Sequence, residues 1–229
     1  MAELVDFILL KANALLVVVQ KYIASDGKRG ISSADSDKLK AGIDDLTQKN
    51  SDQAKAITDE EKQTELVNQT VARGHDAVMK VRDAALGKYG RNDKNRNREF
   101  HVGKDVRTAK EMLSELAYMK GTATDNLNDL AERGLVQADI DVFDTVTQDL
   151  KTNSGTQKNL QTVKGNLTKA RGASAKNLES IMFSIQKSAK VIFRDQPDVL
   201  AEFKSIQDSH GGRGKTPAPA PVAQQSTQK

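Results

Sequence analysis

The sequence predicts an all-α fold: an elongated antiparallel bundle of about five to seven helices with a disordered C-terminal tail. Three observations carry this expectation. All four prolines lie at Pro197 or beyond, so most of the chain lacks the commonest helix breaker. Aromatic residues reach only 4%, with no Trp, while charged residues reach 29%, a balance that suits long helices better than a sheet or a compact enzyme. Apolar residues also recur at three- and four-residue intervals through most of the length. A single helical body over 1–208 and a Gly/Pro/Ala/Gln-rich tail over 209–229 is the simplest division of the 229 residues.

The most apolar stretch, Leu4 to Ile23, is the expected core element, which the later helices cover. On a helix, Asp6, Asn13 and Gln20 form one polar stripe edged by Glu3 and Lys21. Leu4, Phe7, Ile8, Ala14, Leu15, Val18, Val19 and Tyr22 fill the opposite side, and Leu9, Leu16 and Ile23 widen the apolar arc past half the circumference. Phe7, Ile8, Leu15, Val18, Val19 and Tyr22 form the candidate apolar interface if this helix meets a partner. The stretch is long enough to cross a bilayer at about 1.5 Å per residue. Asp6, Lys11, Asn13 and Gln20 interrupt it, however, and a charge near mid-membrane costs about 2.5–3.5 kcal/mol. A membrane is therefore the disfavoured partner. Acidic Glu3 and Asp6 stand where a secretory leader carries Lys or Arg, which points to the cytoplasm.

Ser25 to Gly30 reads as a turn, after which Ser32 or Ser33 caps a second helix with Asp35 and Asp37 in its first turn. Leu39, Ile43 and Leu46 follow at helical spacing. The apolar stripe then thins from Gln48 to Lys55, and Thr58 with Glu61 resembles a capping box, so a break or kink is expected near Ala56. Leu66, Val67, Val71, Val78, Val81 and Leu86 continue to Gly87 and Gly90. With aromatic residues only at its edges, Tyr22 and Tyr89, the span from Ile23 to Lys88 suggests a slender arm.

Arg91 to Arg98 is polar throughout and reads as a linker. Val102, Val106, Ala109, Met112, Leu113 and Leu116 mark a fourth helix that continues past Gly121 through Leu127 and Leu130. Arg133-Gly134-Leu135 supplies its stop, with Gly at C′ and an apolar residue at C″. Ile140, Phe143, Val146 and Leu150 form a fifth helix, and breaks are expected at Asn153-Ser154-Gly155 and at Gly172. Leu178, Ile181, Met182, Ile185, Ala189 and Ile192 give the clearest amphipathic pattern after the N-terminus. Asp195 is the expected cap of a last helix through Pro197 and Ile206. Ala84 to Phe100 and Ser188 to Phe203 echo one another loosely: each ends a helix in an aromatic residue, passes a charged turn and places a Phe about ten residues later.

Signals for chemistry are sparse. Ser209 to Thr216 nearly spells a phosphate-binding loop, but Pro217, Pro219 and Pro221 preclude the helix that such a loop needs. His75, His101 and His210 have no metal-ligand spacing and read as surface residues, and cysteine is absent. Adjacent carboxylates such as Asp44 and Asp45 point in different directions on a helix. No cofactor is expected, and no enzyme.

The basic cluster is the most functional feature of the sequence. Lys80, Arg82, Lys88, Arg91, Lys94, Arg96, Arg98, Lys104, Arg107 and Lys110 face only Asp83, Asp93, Glu99 and Asp105, a local balance of about +6. Lys88, Arg91, Lys94, Arg96, Arg98, Lys104 and Arg107 form the candidate contact surface for nucleic acid or an anionic surface. About five phosphate contacts would give a log–log salt slope near −4.5. Tyr89, Phe100 and Tyr118 are too scattered for a base-stacking platform. The reading that fits best is a non-enzymatic helical-bundle scaffold, with coiled-coil-like helix faces, that pairs with itself or with another helical protein. The alternatives are binding through residues 80–110, and a membrane-active protein that releases its N-terminal helix into a bilayer.

Overall fold

The computed structural model describes residues 2–24 and 29–208. Among these the protein is all-α, with seven helices: α1 (Ala2–Lys21), α2 (Ser33–Tyr89), α3 (Lys94–Glu99), α4 (Ala109–Asp125), α5 (Leu127–Ala131), α6 (Gln137–Ile192) and α7 (Pro197–Asp208). The tail expected over 209–229, the loop-like Ser209 to Thr216 and His210 lie outside the described residues.

Two compact units divide the chain. Unit 1 holds Met1–Gln48 with Gly172–Lys229, and unit 2 holds Lys49–Arg171. Each has its own apolar core, so α1 is the heart of one core and contributes nothing to the other.

In unit 1, Val5, Ile8, Ala12, Leu15 and Val19 of α1 are buried against Leu39, Ile43 and Leu46 of α2 and Leu178, Ile185 and Ala189 of α6. Each fully buried Leu or Ile contributes about 1.5–3 kcal/mol. Tyr22 closes one end of this core, with its ring 5.6 Å from Phe193 and 6.1 Å from Phe203. Its hydroxyl donates to Glu202 at 2.8 Å, and Lys21 pairs with the same carboxylate at 2.7 Å.

The connection from α1 to α2 is fixed by backbone hydrogen bonds. The Ala24 N–H donates to the Ile31 carbonyl at 2.8 Å, and the Ile31 N–H donates to the Tyr22 carbonyl at 2.9 Å, which buries Ile31 in the core. Ser32 then caps α2, accepting from the Asp35 N–H at 3.1 Å.

Unit 2 gathers Val78, Val81 and Ala85 of α2, Phe100, Met112, Leu116 and Met119 of the α3–α4 region, and Ile140, Phe143, Val146 and Leu150 of α6. Gly74 is buried here, and a Cβ on it would come within 2.8 Å of the Met112 sulfur. The span of α2 read as a slender arm is therefore core-forming in both units.

The break expected near Ala56 does not occur, nor do those at Asn153-Ser154-Gly155 and Gly172: α2 runs unbroken for 57 residues and α6 for 56. In unit 2 the residues that thin the apolar stripe have partners across an antiparallel pair. Asn50 accepts from Arg171, Gln53 donates to Thr168, Glu60 pairs with Lys164, Gln157 donates to Thr64, and Asn153 donates to Thr70. Gly155 and Gly172 face open space on the helix, where each costs roughly 1 kcal/mol relative to Ala without ending it. Thr58 is mid-helix and donates to the Ala54 carbonyl instead of capping.

Two further expectations are corrected. The linker read from Arg91 to Arg98 contains α3, because Asp93 accepts from the backbone of Asn95 and Arg96 and starts a turn. The fourth helix begins only at Ala109, where Thr108 and Glu111 form a capping box, and it stops at Asn126, where α5 begins as a separate short helix. Val102 and Val106 reach the core from the preceding loop.

The stop at Gly134 is as expected. Its φ is +84°, the Gly134 N–H donates to Ala131, and the N–H of buried Leu135 donates to Leu130. At α7, Pro197 occupies the first helical position, and the Gln196 carbonyl accepts from Leu200. The loose echo has a structural counterpart: Tyr89 stacks on Phe100 at 6.0 Å, and Phe193 stacks on Phe203 at 5.9 Å.

A Cβ on Gly30 would collide with the backbone nitrogen and Cα of Ala24 and the carbonyl oxygen of Tyr22. Main chain cannot swing aside as a side chain can. The Gly30→Ala variant is therefore expected to lose about 1–3 kcal/mol, despite the lower entropy of its unfolded chain. Urea denaturation of the variant measures this, and an unchanged midpoint would show that the α1–α2 connection is not constrained as described.

Candidate functional site

The basic segment is folded into unit 2, and three acids from outside it, Asp139, Glu132 and Glu115, pair with four of its ten cations. Lys80 pairs with Asp139 of α6 at 2.6 Å, and Lys88 with Glu132 at 2.5 Å. Arg96 lies over the Tyr89 ring at 4.7 Å and pairs with Glu99 at 2.8 Å. Lys104 pairs with Glu115 and Arg107 with Asp105, each at 2.6 Å. Arg91, Lys94 and Arg98 are exposed and make no ion pair among the described residues. Of the seven candidate contact residues, these three have no counter-ion among the described residues.

Glu115 is the centre of the most concentrated chemistry in the described structure. It sits on the inner face of α4 beside Met112, Leu116 and Met119, with its side chain fully buried. Arg82, itself buried, donates Nη2–H to Oε1 at 2.9 Å and Nη1–H to the Lys104 carbonyl at 2.8 Å. His101 places Nδ1 at 3.0 Å from both carboxylate oxygens, and Lys104 donates to Oε2 at 2.6 Å. The His101 backbone has φ +49°, a left-handed conformation that carries the ring onto Tyr118, where the two stack at 4.1 Å.

Burial pushes the Glu115 carboxyl up, but the hydrogen bonds from Lys104 and His101, the charge of His101 and the bond from Arg82 outweigh it. The net effect holds Glu115 below the usual carboxylate range. Arg82 Nε is also buried and has no partner among the described residues, so this network is not fully satisfied. One carboxylate surrounded by Arg82, His101 and Lys104 holds α2, the α3–α4 loop and α4 together. His101, read from sequence as a surface residue, is part of it, whereas His75 is exposed.

The candidate apolar residues of α1 turn mostly inward. Ile8, Leu15 and Val19 are buried, and Phe7, Val18 and Tyr22 are half-buried. Phe7 also lines a groove of about 230 Å³ in unit 1, together with Leu4, Glu179, Phe183, Gln186 and Ile206. The large apolar side chains most exposed on α1 are others: Leu10 at 68% and Val17 at 67%. No described helix is long and apolar enough to cross a membrane.

The chain matches no family model, no curated protein and no solved structure. Sequence reading missed Leu10 and Val17 because the whole stretch is apolar, which hid them among the core positions. The available signal was their angle: at 100° per residue both fall beside Asp6 and Asn13, on the side already assigned to solvent. Glu115 gave no signal, since its partners come from 11 to 33 positions away.

The Glu115→Gln variant keeps the shape of the side chain but leaves Arg82 buried without a counter-charge. A loss of about 3 kcal/mol in urea denaturation at neutral pH is expected. Because the folded carboxyl titrates below its unfolded value of about 4.3, its contribution is complete above that pH and disappears as pH falls through the lower folded value. The stability gap between parent and variant should shrink across that acid range. A gap that stays constant would show that the carboxylate's charge does not hold the cluster.

Proposed function

We propose that this protein is a non-enzymatic structural or interaction protein that associates with itself through helix faces. The observation that supports this is the double character of α1: one side is core, while Leu10 and Val17 stand about two-thirds exposed on the other. Single exposed apolar residues are ordinary on protein surfaces, but two at a seven-residue spacing on one helix face form a stripe. The charge cluster around the fully buried Glu115 serves as a structural clamp in this reading, because Arg82, His101 and Lys104 surround the carboxylate at hydrogen-bond distance and leave it no free lone pair directed at solvent.

A second reading keeps the basic segment as a surface for nucleic acid or another polyanion. Arg91, Lys94 and Arg98 favour it, since they remain exposed and without ion pairs around α3. Lys110, also exposed and without an ion pair among the described residues, joins them; with four cations rather than ten, the electrostatic term is small, and a log–log salt slope of about −3.6 is its expected signature.

Light scattering on a sizing column at low and high salt, with absorbance at 260 nm recorded, separates the two readings. A multimer that survives high salt and carries no excess 260 nm absorbance is expected. A monomer that carries nucleic acid at low salt and sheds it at high salt would overturn self-association and promote Arg91, Lys94 and Arg98.

A further inference from the structure

We propose that the outer face of α1 is a homodimer seam, in which two copies of this chain pack their α1 helices antiparallel about a two-fold axis passing between Asn13 and Ala14. This inference rests on the self-association proposed above and names where it occurs.

The outer face is a narrow band. Asp6, Leu10, Asn13, Ala14, Val17 and Lys21 are all exposed and fall within one side of the helix. Leu10, Ala14 and Val17 stand at i, i+4 and i+7, so they make a continuous apolar ridge flanked by polar groups. Ala14 lies at its middle, where a small side chain lets two helix axes come within about 8–10 Å.

The order of residues along the ridge is self-complementary in one direction. An antiparallel copy centred between Asn13 and Ala14 sets Leu10 of each chain against Val17 of the other. The same operation sets Asn13 against Ala14 and Asp6 against Lys21. A single two-fold contact thus pairs the apolar side chains and places opposite charges at both ends.

A parallel copy does the reverse: Asp6 meets Asp6, Lys21 meets Lys21, and the two helix dipoles align unfavourably. Asp6 has no ion pair among the described residues, and Lys21, already 2.7 Å from Glu202 in its own chain, remains more than half exposed. In the dimer each Lys21 stands between two carboxylates, one from each copy. The Asn13 amide donates to the Leu9 carbonyl at 2.8 Å, which leaves its oxygen free to accept at the seam.

Other occupants fit less well. A helix lying on an anionic bilayer carries Lys and Arg on its polar face, whereas this band offers one acid for one base. The groove lined by Leu4 and Phe183 is a separate surface, and nothing in it selects an occupant.

The absence of cysteine gives a direct test in the full chain. Leu10→Cys and Val17→Cys proteins are prepared separately, then oxidised alone and as a mixture. A disulfide needs Cα atoms within about 7 Å, so the antiparallel seam predicts a covalent dimer from the mixture and little from either protein alone. Efficient self-crosslinking of Leu10→Cys would overturn the antiparallel arrangement.

In sedimentation equilibrium over a concentration series, Leu10→Glu is expected to weaken dimerisation by at least about tenfold. Unchanged circular dichroism and melting would show that the exposed substitution leaves the fold intact. A multimer that persists unchanged in Leu10→Glu would sink the seam while leaving self-association standing. A parent chain that is monomeric throughout the series would sink both. Flotation with anionic phosphatidylserine vesicles completes the test: binding of the parent that Leu10→Glu abolishes would assign the ridge to lipid and overturn the dimer.

Discussion

The arrangement depends on two uninterrupted helices, α2 and α6, of 57 and 56 residues. Helices this long and this polar are not held by propensity, because most helical stability in proteins comes from packing an amphipathic face. In unit 1 they pack with α1 and α7, and in unit 2 with α4 and the segment around Phe100. From Asn50 to Thr70 in unit 2 the facing side chains are chiefly Gln, Thr, Asn, Glu, Lys and Arg, and hydrogen bonds across the pair take the place of apolar contact. Such bonds contribute only about 1 kcal/mol each. Their larger effect is on register, since sliding one helix would leave several partly buried amides without partners.

Charge in this protein is distributed in two distinct ways. Exposed pairs such as Arg107–Asp105 and Lys120–Asp144 contribute little, as water and salt screen them. The cluster at Glu115 lies at the opposite extreme. There a carboxylate fully withdrawn from water is compensated by Arg82, His101 and Lys104, and removing any one partner exposes the cost of burying the rest. A buried network of this kind holds the α3–α4 loop in one place, including the left-handed backbone at His101. It also engages Arg82 and Lys104, two of the ten cations that make residues 80–110 look like a binding surface in sequence.

The apolar surface of α1 shows a similar division. Leu15 and Val19 are inside because α2 and α6 lie against that face, and the same enclosure leaves Leu10 and Val17 outside. Exposed apolar side chains on a helix anchored this firmly lose little entropy on association, which favours a contact there over one made by a loop. The same reasoning makes the outer face of α1 a better candidate for the working surface than the partly neutralised basic segment.

How much of this was legible in the sequence differs by feature. Proline placement and apolar spacing determined the helical class. The Gly134 stop, a cap at Ser32 or Ser33 and the apolar character of α1 were likewise readable, because each depends on residues within one turn of one another. The continuity of α2 and α6 was not, since Gln53, Thr64 and Asn153 look like interruptions until the opposite helix supplies their partners. The division into two cores, the pairing of the basic residues with Asp139, Glu132 and Glu115, and the sorting of α1 into inner and outer faces were also decided only by tertiary structure. The reason is common to all three: local spacing gives a side chain its angle on a helix, whereas its burial and its counter-charge come from residues far away in the chain.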